Sequence, residues 1–306
     1  VIRNPSVVGG TLTLDVPASD IFDQLSKGFV NRQSPEGNRR VDDQQIAWFD
    51  TLAEQDRVSR PFNRALFFNA DSRFPELAGL SGAITGSFYA LLVCFLISFP
   101  VGIAAATYLE EFAPKNRWTD LIEVNIANLA AVPSIVFGIL GLAVFINFME
   151  FPQSSSLVGA LVISLMTMPT IIIATRSAIK AVPPSIRDAA LGVGASRMQT
   201  VFHHVLPLAM PGILTGAILG LASALGETAP LLLIGMVAFV DNYPGAPLDG
   251  FGDPATALPV QVYSWASRSD PAFIERSNGA IIVLLVFLLI MNVSAILLRR
   301  KFERRW

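Results

Sequence analysis

Five apolar runs limit what this chain can fold into: Gly82–Leu109, Val124–Phe148, Ser156–Thr175, Val205–Val240 and Gly279–Leu298. A helix needs about 20 apolar residues to cross the hydrocarbon core of a bilayer. Inside lipid every backbone N–H and C=O must find its partner within the protein, so such runs fold as helices. Four of the five contain no Asp, Glu, Lys or Arg, and Val205–Val240 contains Glu227 alone. Composition agrees: 52% of residues are apolar, 15% are charged, and the mean hydropathy of +0.54 lies outside the soluble range. The competing reading is a large buried helical core in a soluble protein. The predicted fold class is all-α integral membrane with five visible spans. The second run carries Asn125, Asn128, Asn147 and Pro133, which suits a helix facing other helices rather than lipid.

Lys and Arg give the expected orientation. Eleven of them fall on one side: Lys115 and Arg117 in Glu110–Glu123, Arg176, Lys180, Arg187 and Arg197 in Arg176–His204, and Arg299, Arg300, Lys301, Arg304 and Arg305 in the tail. The other side has none in Met149–Ser155, and only Arg268 and Arg276 in the outer loop 241–277. The excess of basic residues marks the cytoplasmic face. The first span therefore runs inward, the C-terminal tail 299–306 lies inside, and residues 1–80 lie outside. A segment as long as 1–80 is exempt from the short-loop charge rule. The chain opens at Val1 without a charged stretch followed by an apolar one, so no signal peptide is visible. The expectation is a preceding signal-anchor span, giving six spans with both ends cytoplasmic.

Residues 1–80 are polar and mixed, with eleven acidic and nine basic side chains. Alternation over Thr11–Val16 suits a strand, and the spacing of Ile46, Phe49 and Ala53 suits a helix. The plain reading is a small extracytoplasmic domain, and the sharper one is a docking site for a soluble partner. Cys94, the sole cysteine, lies in the first span and has no intrachain disulfide partner. His203 and His204 lack acidic or cysteine neighbours at metal-ligand spacing, so they read as interfacial helix residues. The chain has no GxxxxGK[ST] loop, so any ATP hydrolysis that drives it belongs to another chain. No cofactor, metal or nucleic-acid partner is predicted, and membrane lipid is the solvent.

The polar interruption Ser185–Pro207 is the most patterned stretch. Ser185 with Asp188, and Ser196 with Gln199, each read as a capping box that opens a helix. Gly192 and Gly194 between them supply residues that tolerate positive φ. Two short helices should therefore meet at a glycine corner, with Ala189 and Ala190 leaving a nearly bare face. Small side chains on an exposed helix let a partner's groove approach closely. The element reads as a docking site.

Val205–Val240 is too long for one straight span and too short for two with a turn. Gly226 and Pro230 bracket a break, with Glu227 inside it. A carboxylate in the membrane costs about 2–3 kcal/mol unless it is paired or faces water. Glu227 is read as a carboxylate paired with a cation, as one facing water, or as one placed at the lipid interface. Direct binding of an anion is disfavoured, because two anions repel.

Asp188-Ala189-Ala190, Gly194 and then Leu206-Pro207 resemble the EAA loop of bacterial ABC-importer permeases. Asp188 stands where Glu is usual, and His204 where Ile is usual. Pro211-Gly212-Ile213-Leu214-Thr215-Gly216 and Ala224-Leu225-Gly226-Glu227-Thr228-Ala229-Pro230-Leu231-Leu232 resemble phosphate-specific permeases of the PstA type. The likeness covers roughly residues 80–298, with Ser223 where such permeases often have Arg. It implies a type I ABC permease core over 81–298, with the coupling loop at 176–207. It also implies a non-enzymatic subunit forming half of a pathway that carries inorganic phosphate across the bacterial plasma membrane. The implied partners are a second homologous permease, an ATPase dimer and an extracytoplasmic phosphate-binding protein. Ser185, Asp188, Ala189, Ala190, Gly194, Ser196, Leu206 and Pro207 would couple to the ATPase, and Glu227 and Thr228 would serve the path or the subunit pairing. A permease for sulfate or molybdate, or a membrane signalling component of a phosphate system, are the alternatives.

Overall fold

The computed structural model describes residues 16–236 and 250–302. Among these residues the regular structure is helical, with Ser155 and Pro254 forming an isolated antiparallel bridge. Three short helices come first: α1 (Asp20–Ser26), α2 (Asp43–Glu54) and α3 (Ala65–Phe68). The helix expected around Ile46 is α2, opened by a capping box between Asp42 and Gln45. Residues 11–15 of the expected strand lie outside the described residues.

The apolar runs follow. Helix α4 (Ser81–Thr107) continues as a π-helical turn to Phe112, and α5 (Arg117–Ala130) precedes α6 (Ser134–Gly141), itself extended by a π-helical Leu142–Phe148. Helix α7 (Ser156–Lys180) leads to α8 (Pro184–Gly192) and α9 (Arg197–Thr200), and a π-helical Val201–Val205 joins α9 to α10 (Leu206–Gly226). The chain closes with α11 (Ala229–Leu233), α12 (Leu258–Ala266) and α13 (Pro271–Phe302).

Four of these stretches are long and apolar enough to cross a membrane: Ser81–Phe112, Ser156–Lys180, Arg197–Gly226 and Pro271–Lys301. The expected second span is not straight. Its run is divided between α5 and α6, which meet at 99°. The cause is local: Pro133 lacks an N–H and drives the residue before it out of the helical region, so the helix stops at Ala130 and restarts at Ser134. The described part of the outer loop contains α12, and α13 begins at Pro271.

Helix α7 is packed between α4 and α10 through small residues. A Cβ added at Gly212 would lie 2.8 Å from the Ala178 methyl, and one added at Gly216 would run into the Ala174 methyl. On the other flank, a Cβ at Gly102 of α4 would lie 2.7 Å from Ile171. Glycines spaced by four let helix backbones approach closely where lipid supplies no hydrophobic drive to association. Between α4 and α7 the Ser98 hydroxyl donates to the Cys94 carbonyl at 2.6 Å, and the Cys94 sulfur lies 3.4 Å from the Thr167 hydroxyl.

Residues 16–80 sit where α4 and α13 begin. Leu25, Val41 and Ile46 form a small core with Phe22 and Phe49, whose rings stack 6.0 Å apart. Charged contacts fasten this unit to the turn before α13 and to the first turns of α13. Arg40 makes two bonds to Asp270 at 3.0 and 3.3 Å, Lys27 pairs with Glu275, and Arg268 pairs with Asp71 at 3.1 Å. Partial burial pushes the Asp270 carboxyl up, but the Arg40 guanidinium outweighs it and holds the group below its usual range. The Trp265 ring N–H donates to the same Asp71 carboxylate at 3.0 Å.

The α7–α10 seam makes a testable demand. Gly216→Val should overpack it and destabilise the bundle by about 1–3 kcal/mol. Gly220→Ala should be tolerated, because its Cβ would meet Ile171 at an ordinary 3.7 Å. Thermal unfolding of the detergent-purified protein separates the two variants. Equal melting temperatures would contradict the close approach.

Candidate functional site

The corner between α7 and α10 is built by proline and glycine. Pro183 is extended (φ −56°, ψ 138°), and Pro184 occupies the first turn of α8, where its missing N–H costs nothing. Helix α8 therefore starts ahead of Ser185, whose side chain makes no capping bond, contrary to the capping box expected there. Gly194 carries the left-handed turn at φ +90°, whereas Gly192 is simply the last residue of α8. The second expected box is present. The Ser196 hydroxyl accepts from the Gln199 N–H at 3.2 Å, and the Gln199 side-chain oxygen accepts from the Ser196 N–H at 2.8 Å.

Side chains of the corner divide between a seat and an outer surface. Ala190 is buried, so the bare face is narrower than the Ala189–Ala190 pair suggested. Ala189, Asp188 and Ser185 are exposed. Leu191, Val193, Met198 and Phe202 present large apolar groups outward, with Val193 86% exposed. Beneath them, Val182, Val201, Val205 and Leu206 form a buried cluster against which Ile186 and Phe112 pack. Pro207 lies at the start of α10, next to the wide turn Val201–Val205, which gives its ring the room an ideal helix would deny.

An ion-pair cluster fastens the corner to the end of α4, and sequence reasoning missed it. The Arg187 guanidinium donates to Glu111 at 2.7 and 3.1 Å, to the Val182 carbonyl at 2.8 Å and to the Ile179 carbonyl at 3.0 Å. It thus joins α8 to the last turn of α7 and to the end of α4. Arg176 binds Glu110 at 3.3 Å and Glu123 at 2.6 Å, and Lys180 lies 3.5 Å from Glu110. The available signal was the acidic pair Glu110-Glu111 closing the first apolar run, opposite Arg176 and Lys180 spaced by one helical turn.

At the far end of α10 the chain breaks as expected. Glu227 leaves the helix with an extended backbone (φ −77°, ψ 122°), and Thr228 opens α11 by accepting from the Leu232 N–H at 3.0 Å. Pro230 packs onto α6, its Cα 2.7 Å from a Cβ built at Gly138. The Glu227 side chain is half-buried and has no ion-pair partner among the described residues. Ser223 is exposed one turn earlier on α10. The 21 residues of α10 separate this carboxylate from the corner by about 30 Å. One helix, α10, with Pro211 inside it, therefore joins the corner to the break at Glu227.

A family model described as binding-protein-dependent transport system inner membrane component matches residues 98–306. The chain is 33% identical over 226 residues to a probable ABC transporter permease protein, YqgI, of Bacillus subtilis, covering 71% of this chain and 76% of that protein. It is 30% identical over 227 residues to a phosphate transport system permease protein, PstA 1, of Mycobacterium tuberculosis, covering 74% and 72%. Among solved structures, it resembles an inward-facing methionine ABC transporter, MetNI, with a TM-score of 0.55 at 16% identity, over 73% of this chain and 97% of that one. A bacterial ABC transporter involved in import of the acidic polysaccharide alginate gives a TM-score of 0.56 at 15% identity, over 85% and 94%. These structural likenesses support the fold.

Arg187→Gln should free the corner from α4 while leaving the spans folded. Loss of hydrogen bonds to a charged, largely buried guanidinium costs about 1–3 kcal/mol. Hydrogen exchange of residues 183–196 should speed up, with α7 and α10 unchanged and Glu111→Gln giving a smaller effect in the same segment. Unaltered exchange in Arg187→Gln would contradict the clamp.

Proposed function

The chain belongs to the family of binding-protein-dependent transport system inner membrane components, and from that membership we propose that it is the permease subunit of an ATP-driven importer that carries inorganic phosphate across the bacterial plasma membrane. The observation that carries this reading is the corner of α8 and α9. It offers an outward apolar surface on a clamped base, at the foot of a helix that ends beside an unpaired carboxylate. The choice of phosphate draws on the similarity to phosphate transport system permeases at about 30% identity over most of the chain.

In this reading the corner lies in the cytoplasm, on the side of the basic residues, and residues 1–80 lie outside. Ser185, Asp188, Ala189, Gly194 and Ser196 meet an ATPase dimer, which hydrolyses ATP on separate chains. A second homologous permease faces the exposed surfaces of α5 and α6, and a soluble phosphate-binding protein delivers substrate from outside. Closure of the ATPase dimer moves the corner, and α10 carries that movement to Glu227 and Thr228. Such rigid-body tilting is the ordinary currency of alternating access. Glu227 has no cation of its own chain among the described residues, which favours pairing with a cation of the second permease in at least one state.

Substitutions on the outer face of the corner test this reading. Ala189→Arg places a long charged side chain where a groove must approach. Gly194→Val forces a β-branched residue into a left-handed backbone, at a cost of roughly 1–2 kcal/mol. Both changes lie outside the spans, so membrane abundance should stay normal while uptake of labelled phosphate falls severalfold or more. Uptake at the wild-type rate in both variants would refute coupling through the corner.

A further inference from the structure

The segment that joins the N-terminal unit to the first span carries large apolar side chains that the described residues leave uncovered. Phe62 is 75% exposed and Phe74 is 62% exposed, and neither joins the N-terminal core of Leu25, Val41 and Ile46. Phe62 stacks on Phe67 with ring centres 5.8 Å apart, so the two form one apolar surface.

Backbone bonds fix the height of that surface. The Leu80 N–H donates to the Leu66 carbonyl at 2.7 Å, and the Ser81 N–H donates to the Asn69 carbonyl at 3.1 Å. Helix α3 is therefore bound to the first residue of α4. The Leu66 side chain also lies 3.4 Å from a Cβ built at Gly279, where the apolar run of α13 begins. Helix α3 thus lies at the start of the α4 span and of the apolar run of α13, and Phe88 of α4 and Ile274 of α13 are exposed.

The charges of the segment are one-sided. Between residues 57 and 73 stand Arg57, Arg60, Arg64 and Arg73 against the single acid Asp71. Asp71 is already held by Arg268 and Trp265. Arg57, Arg64 and Arg73 are exposed and make no ion pair among the described residues, while Arg60 donates to the Ser26 carbonyl. Exposed apolar rings in an Arg-rich segment at the start of a span are the chemistry of a membrane-interface anchor. A soluble protein partner would have to fit into the lipid-facing band of α4 and α13 to cover the same rings.

We propose that residues 57–74 seat the N-terminal unit on an anionic lipid surface beside the first span. Phe62, Phe67 and Phe74 enter the boundary between headgroups and acyl chains, and Arg57, Arg64 and Arg73 contact lipid phosphates. The anchor holds the N-terminal unit at a set height above the bundle, whichever solute the bundle carries.

The test uses the full chain in vesicles of phosphatidylcholine and phosphatidylglycerol. A bimane label on Phe62→Cys, in a Cys94→Ser background, is compared with the same label on the exposed Gln33→Cys. The Phe62→Cys label should lose most of its emission to lipid carrying a doxyl group near the headgroup, and resist aqueous iodide. The Gln33→Cys label should show the reverse. Removing phosphatidylglycerol, or combining Arg57→Gln, Arg64→Gln and Arg73→Gln, should weaken the doxyl quenching. Quenching of the Phe62→Cys label by iodide to the extent seen at Gln33→Cys would place the rings in water and overturn the anchor. Resistance to both quenchers would mean a protein covers them, which also overturns it. Doxyl quenching indifferent to phosphatidylglycerol would overturn the assignment of anionic lipid.

Discussion

The close approach of α10 to α7 is the contact on which the rest of the structure depends. Within a bilayer, burying leucine against leucine gains little over burying it against lipid, so helices associate where small residues allow backbone contact. Gly212 and Gly216 meet Ala178 and Ala174 along one seam, and Gly102 brings α4 to the opposite side of α7. Three helices are thereby nested closely, and α10 joins the corner at its foot to the break at Glu227, the route that the proposed coupling would take.

Charge is kept to the ends of this body. At the corner end, Arg176, Lys180 and Arg187 face Glu110, Glu111 and Glu123, and Arg187 also satisfies two carbonyls at the end of α7. At the entry end, Arg40, Lys27 and Arg268 face Asp270, Glu275 and Asp71. Each network ties an accessory element to the bundle: the corner in one case, the N-terminal unit in the other. Between them the long helix α10 ends in a carboxylate with no cation of its own chain among the described residues. A half-buried acid within an apolar run is costly unless water or a cation compensates it, which is the need that the proposed pairing with a second permease would meet.

Much of this was legible in the residues. Length and apolarity identify α4, α7 and α13 directly, and Ser196 with Gln199 marks the start of α9 because the capping box is a local device. The break at Glu227 follows from a run of intermediate length bracketed by glycine and proline. Where proline acts on its neighbour, the reading slipped. Pro133 breaks the second run into helices meeting at 99°, and Pro184 takes the helix start that Ser185 was expected to supply. The bonds from Arg187 to Glu111 join residues far apart in the chain, and no local pattern announces such a pair. The same holds for Arg40 and Asp270. Their union depends on how the N-terminal unit docks, which is a property of the assembled fold.

The most direct measurement is uptake by the complete transporter in sealed vesicles. It uses this chain with the proposed partners, a second permease, an ATPase dimer and a phosphate-binding protein, followed with labelled phosphate in the presence of excess sulfate or molybdate. The account predicts accumulation of phosphate that requires ATP and is not competed by either anion. Accumulation of sulfate or molybdate in place of phosphate, or phosphate movement independent of ATP, would contradict it.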